Sequence, residues 1–249
     1  MVLLMLIALV VGTLIGAVGV GGILLIPALN LIGGLSIQSA MATALFTFVF
    51  TGIVGTIAFM RHGSIDLRIT VPVCAGALIS GFAGAWVNAL LNASLLMLLL
   101  ALVVCLAGVY TLATRGRPRR PALHGHPGLQ RAMLFGLGGV AGFGSGLTGV
   151  GGPALSVPMM VLAGFAPLTT IGTSQVIQIL AGASGTLGNL RFGVIDFGLA
   201  GALVLFELAG VMIGARIVHA INAQRLRFWV GVLCLAVGGG LLVKAVGGY

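Results

Sequence analysis

An all-α polytopic membrane protein is what this sequence predicts, with about eight hydrophobic segments in two homologous four-segment halves and the first segment of each half broken or re-entrant. Three observations carry that expectation. The composition is one that water cannot solvate, apolar runs of membrane-crossing length follow one another along the chain, and a long residue pattern occurs twice.

Of 249 residues, 59% are apolar and 6% charged, with a mean hydropathy of +1.25. A soluble domain carries about 25% charged residues. Disorder is excluded for the same reason, since the charge and polarity that keep a chain open are missing. Asp66, Asp196 and Glu207 are the three acids, too few for a carboxylate-rich metal site. The net charge of +9 would suggest nucleic acid in a soluble chain. Here most of the arginine lies in short loops between apolar runs, where positive-inside topology accounts for it. The expectation is a multi-pass protein of the cell inner (plasma) membrane with the lipid bilayer, and no nucleic acid, as partner. Cys74, Cys105 and Cys234 stand alone within apolar runs and read as small core residues.

The apolar stretches fall at about 2–33, 36–60, 68–91, 94–113, 132–163, 168–190, 197–221 and 227–246. The first opens like a signal peptide, since Met1 to Ala17 is short and apolar, but no basic region precedes it and no convincing small-residue cleavage site ends it. Its glycine pattern also returns at residues 142–164, where no leader can be, so it is expected to stay in the mature protein.

The repeat organises everything else. Gly16-Ala-Val-Gly19-Val-Gly21-Gly22, followed by Pro27 and Gly33, matches Gly146-Leu-Thr-Gly149-Val-Gly151-Gly152, followed by Pro158 and Gly164. Displaced by 130 residues, Thr43 falls on Thr173, Gly55-Thr56 on Gly185-Thr186, and Arg61-His-Gly63-Ser-Ile65-Asp66 on Arg191-Phe-Gly193-Val-Ile195-Asp196. The chain divides into a first membrane repeat (1–113), a basic cytoplasmic linker (114–131, TRGRPRRPALHGHPGLQR) and a second membrane repeat (132–249).

Segments one and five are long for one pass and short for two. Glycine is unfavourable in a helix interior by about 1 kcal/mol, so the glycine clusters predict unwound backbone, which survives in hydrocarbon only where protein buries it or a cavity adjoins it. If these segments span, the repeats are parallel; if they are re-entrant, the repeats are inverted. Loop charges do not separate the two, while paired interruptions at matching positions are the pattern of inverted-repeat transporters.

The doubled set of G-x-x-G-x-G-G, proline, a threonine-bearing second segment and R-x-G-x-I-D resembles the sulfite exporter TauE/SafE family, also called the 4-toluene sulfonate uptake permeases. The resemblance covers nearly the whole chain. It implies export or uptake of small sulfur-containing anions, organosulfonates or carboxylates. The second half reads Gly172-Thr173-Ser174-Gln175 in the family's manner, whereas the first reads Ala42-Thr43-Ala44-Leu45, so the halves would contribute unequally.

The residues point the same way without the resemblance. Unpaired N–H groups at half-helix N-termini bind anions without a buried cation, and Gly19, Gly21 and Gly22 precede one such end, Gly149, Gly151 and Gly152 the other. Thr43, Thr173, Ser174 and Gln175 would complete a substrate site. The plainer reading of the glycines is tight helix packing, and that of Gln175 and Gln178 is helix–helix adhesion. Arg61 and Arg191 end their segments before G-x-I-D; either they draw anions toward the pathway, or the motif is a turn in which Asp66 and Asp196 cap the next helix. Glu207 lies deep in an apolar run and is a functional candidate by default, as a carrier of a coupling proton or as a structural acid paired with Arg216. His124 and His126 read as solvated linker residues, His219 as interfacial, and Trp86 and Trp229 as interfacial anchors or bundle packing.

No Walker loop, G-x-S-x-G, HExxH or Cys/His zinc pattern occurs, so no enzyme, metal or cofactor is expected. The favoured function is a secondary transporter of small anions working by alternating access between the repeats. The alternatives are a passive channel for small solutes and a non-transporting scaffold that holds a partner through its linker.

Overall fold

The structure, a computed structural model, describes residues 1–19, 21–113, 121–123, 125–192 and 195–220, together with 228, 232, 235, 236, 238–243 and 245. Trp229, Cys234, Arg225, Arg227, Lys244, His124 and most of the basic run in the linker lie outside them, as do the side chains of Arg191 and His219.

The first apolar run is two helices. α1 (Val2–Val18) ends at Gly19 with φ 76°, its N–H donating to the Ile15 carbonyl at 3.0 Å. A short 3-10 turn (Gly21–Leu24) then leads into α2 (Leu25–Leu31). The fifth run divides in the same manner into α6 (Pro127–Thr148), ended by Gly149 with φ 69°, and α7 (Pro153–Leu162). Only glycine adopts such a φ without steric cost, which places each break at its residue.

Each pair is a hairpin. One apolar groove is lined by Leu6, Val10 and Val11 of α1 and by Leu24, Ala28 and Leu31 of the returning arm, so α2 runs back along α1. The Ala122 N–H, just ahead of α6, donates to the carbonyl of Ala163 at the far end of α7 at 2.8 Å. The two ends of that hairpin lie side by side.

The remaining apolar runs form α3 (Ile37–Arg61), α4 (Leu67–Leu90), α5 (Ala93–Ala113), α8 (Pro167–Phe192) and α9 (Phe197–Ala220). The starts of α3, α4, α5 and α9 are capped by short polar side chains. Ser36 accepts from the Ser39 N–H, Asp66 from Arg68, Asn92 from Leu95 and Asp196 from Leu199. The turn reading of R-x-G-x-I-D therefore holds for both aspartates as caps. Among the described residues four helices are long and apolar enough to cross a membrane: α3, α4, α5 over Ala93–Tyr110, and α9 over Phe197–Val218. α8 is as long but more polar, and it sits inside the bundle with Thr170, Thr173, Ser174, Gln175 and Gln178 buried.

Close approach of backbones decides which helices pair. α1 lies on α9 and α6 on α4, while α8 packs on α3 and α4. Gly12 and Gly16 of α1 meet the carbonyls of Glu207 and Val211, and Gly210 and Gly214 of α9 meet those of Leu9 and Thr13. Gly138, Gly142 and Gly146 of α6 fit against Val73, Ala77 and Gly81 in the same way. Small residues four apart let helices touch where lipid supplies no hydrophobic drive.

Candidate functional site

The two helix breaks meet inside the bundle. Gly21, Gly22 and Gly149 to Gly152 are all buried, and a β-carbon on Gly22 would lie 2.9 Å from the Val150 carbonyl oxygen. Between them stands Phe48, fully buried near the middle of α3. Its ring comes within 2.9 Å of the β-carbon position of Gly22 and 3.1 Å of that of Gly151.

Each break is seated on a long helix. Gly19 lies against Ser174 and Ile171 of α8, its β-carbon position 3.5 Å from Ser174 Oγ, and Gly149 lies against Met41 of α3. Gly152 faces Ile177 and the backbone of Gln178, again near the middle of its helix. Neither α2 nor α7 has a side-chain cap. Pro153 has no N–H to offer, so the first-turn donors of α7 are those of Ala154 and Leu155. Helix N-termini of this kind carry partial positive charge.

Amide side chains brace the ends of the broken helices. Gln175 Nε2 donates to the Ile15 carbonyl at 3.3 Å in the last turn of α1, and Asn88 Nδ2 donates to the Leu147 carbonyl at 2.6 Å in the last turn of α6. Gln178 Nε2 bonds Thr51 Oγ1 at 2.6 Å and the Phe48 carbonyl at 3.1 Å, tying α8 to α3 beside the junction. Gln175 Oε1 is buried with no hydrogen-bond partner.

Glu207 is fully buried on α9. Its Oε1 accepts from Thr47 Oγ1 at 3.2 Å, Oε2 has no partner, and its backbone carbonyl faces Gly12. The partner is Thr47, and Arg216, nine residues further along the same helix, is exposed.

The expected residues do not all converge. Ser174, Gln175 and the six glycines surround the junction. Thr43 instead accepts from the Asp196 N–H at 3.1 Å, and Thr173 shares a 3.0 Å hydrogen bond with Thr70. Both hydroxyls thus hold the entry of the helix that follows an R-x-G-x-I-D turn, Asp196 before α9 and Thr70 in the first turns of α4. Arg61 is exposed at the end of α3. Sequence reasoning passed over Phe48, Thr47 and Asn88. Thr47 and Thr51, four apart in an apolar helix, were a visible sign that this face of α3 meets polar groups.

The profile of the sulfite exporter TauE/SafE family matches residues 4–241. The chain belongs to that family. Three relatives from Bacillus subtilis (strain 168) are each called a probable membrane transporter protein. YdhB is 26% identical over 86% of this chain and 89% of its own length, YunE 25% over 98% of both, and YjnA 26% over 94% and 97%. No solved structure matches the chain. The TauE/SafE protein described here is a multi-pass membrane transporter, and the junction of its two breaks is the candidate site.

Proposed function

We propose that this transporter carries small anions, sulfite, sulfonates or related carboxylates, and that the charged head group is held at the glycine junction by backbone N–H groups of both hairpins, with Ser174 and Gln175 beside them. The supporting observation is the contact of Gly22 with the Val150 carbonyl. It brings the turns that lead into α2 and α7 together in a buried place, where backbone partial charges act in a low dielectric. Alternating access would then be motion of one hairpin-bearing unit against the other around this point.

Glu207 gives the coupling step a place. A buried carboxyl with one oxygen held by Thr47 and the other without a partner can take up and release a proton as α3 and α9 move apart and together. Arg61, exposed at the end of α3, and Arg191 serve in this reading as charges that raise the local anion concentration.

The test is flux of sulfite, thiosulfate, a sulfonate series and carboxylates into liposomes containing the purified protein. Saturable uptake of at least one anion is expected. Flux that rises linearly without saturation would favour the channel alternative, and no movement of any of these anions would end the proposal.

A further inference from the structure

We propose that Gln175 makes this transporter select anions that carry a hydroxyl group of their own, its side-chain oxygen being the acceptor for that hydroxyl. The inference rests on the transport reading above and on neither of the helix starts at the glycine junction. It adds the side chain that reads the substrate and the feature it reads.

Its basis is a buried acceptor to which the fold gives no donor. Gln175 is fully buried on α8, and its Oε1 has no hydrogen-bond partner. Turning the amide round does not cure this. Nε2 donates to the Ile15 carbonyl at 3.3 Å, and reversal would set two oxygens against each other. Across from Oε1 stands the backbone of Gly55 on α3. A β-carbon there would run into Oε1 and lie 2.8 Å from Cδ and 3.1 Å from Cγ, so only glycine leaves the amide its place. A buried oxygen without a donor is destabilising, and a substrate group that donates to it relieves the deficit.

The repeat supplies a comparison within the same molecule, because the seam between α3 and α8 is built twice. The β-carbon position of Gly52 lies 2.9 Å from Ile179 Cγ1, and that of Gly182 lies 3.1 Å from Val49 Cγ2. In the same way Gly55 meets Gln175, and Gly185 meets Leu45, with Cδ2 at 2.5 Å. Displaced by 130 residues, Leu45, Val49, Gly52 and Gly55 fall on Gln175, Ile179, Gly182 and Gly185. Positions rise along one helix as they fall along the other, so the two cross antiparallel with like contacts on either side of the crossing. The one departure in kind is Leu45 against Gln175. Leucine fills the same place over its glycine, so packing has no need of an amide there, and what the amide adds is an acceptor. Substrate reaches it as α3 and α8 part during alternating access. Because the substrate is an anion, its donor is a hydroxyl; an ammonium group would cancel the charge.

The experiment measures flux into liposomes of two pairs matched in size, 2-hydroxyethanesulfonate with propane-1-sulfonate and glycolate with propionate, in which a hydroxyl replaces a methyl. A site that hydrogen-bonds a substrate hydroxyl rejects the analogue lacking it, so the wild type is expected to show a KM lower by about tenfold or more for the hydroxylated member. Gln175→Met, of similar length but without the amide oxygen, should raise the KM of the hydroxylated member alone and so abolish the preference. Loss of a merely structural tie to Ile15 would shift both members alike. Leu45→Met, at the mirror position, should keep the preference. Equal KM values in the wild type, or a preference that survives in folded, monodisperse Gln175→Met, overturns the role of Gln175 while leaving transport standing. No flux of these anions or of sulfite by the wild type overturns both. A measurement free of variants is thermal stabilisation of the wild type by the same pairs, because a ligand that binds the folded state raises its stability. The hydroxylated member of each pair should stabilise more, and equal shifts within both pairs would also overturn the inference.

Discussion

Glu207 and Thr47 form a pair whose two members do different work. Thr47 satisfies one carboxyl oxygen, and also bonds the Ala44 carbonyl at 2.9 Å within its own helix. Replacing it with valine leaves a fully buried acid without that donor. Such a loss costs about 1–3 kcal/mol, so Thr47→Val is expected to lower the thermal midpoint measurably. Glu207→Gln behaves differently. The amide oxygen still accepts from Thr47, so the folded protein is retained, but the side chain no longer exchanges a proton. Uptake driven by a pH gradient is then expected to fall to the level of empty liposomes, while exchange of anion for anion continues. Proton-driven uptake that persists in Glu207→Gln removes this acid from the coupling step. The sequence exposes Glu207 because a lone acid in an apolar run is conspicuous, yet its partner stands 160 positions away. Thr43 and Thr173 show the same limit. The repeat singles them out, but the groups they bind lie 153 and 103 positions off, and chain spacing does not bring distant groups together.

At the scale of the helix, glycine was legible as a breaker and less so as a packing surface. The clusters placed both breaks within a residue or two, because clustered glycines disfavour helix by local chemistry alone, whereas the prolines that follow, Pro27 and Pro158, lie inside α2 and α7. Gly16 and Gly146, the first letters of the same motif, turn out to belong to the intact helices and to face a neighbouring backbone. Which glycine breaks and which packs depends on the partner helix. α6 supplies a direct comparison. A β-carbon on Gly142 would lie 2.5 Å from Ala77 Cα and 2.6 Å from Ser80 Oγ, whereas at Gly139, three residues earlier, nothing lies within 4 Å. Gly142→Ala forces α4 and α6 apart and is expected to cost about 1–3 kcal/mol, as overpacking does. Gly139→Ala is expected to be neutral or stabilising by up to about 1 kcal/mol, through helix propensity. Thermal midpoints of the two purified variants in detergent check the contrast, and equal losses would contradict the packing described for this pair.

For the whole molecule, the open question is how the two membrane repeats are oriented, and the hairpins bear on it. Because α2 runs back along α1 and the end of α7 returns to the start of α6, each hairpin enters and leaves on one side of the bundle. We infer that each repeat then contributes three crossings and the second is inverted relative to the first. The pairing of α1 with α9 and of α6 with α4 supports this reading, since each hairpin rests on a helix of the other repeat. Exchange of that kind would let the two breaks face each other from opposite directions, and so give one site two similar walls and two possible openings. The arrangement makes a definite topological prediction. Val2 should lie on one face of the membrane, with Arg61 and the linker position Gly125 together on the other. In a parallel arrangement all three share a face. Single-cysteine variants at these positions, made after replacing Cys74, Cys105 and Cys234, can be labelled with a membrane-impermeant maleimide in right-side-out and inverted vesicles. Labelling of Val2→Cys in one vesicle orientation and of Arg61→Cys and Gly125→Cys in the other is the expected result. Labelling of all three from the same side would return the first segment to a full crossing. The glycine junction would then join two parallel units, and a mechanism that exchanges inward- and outward-facing states by symmetry would lose its basis.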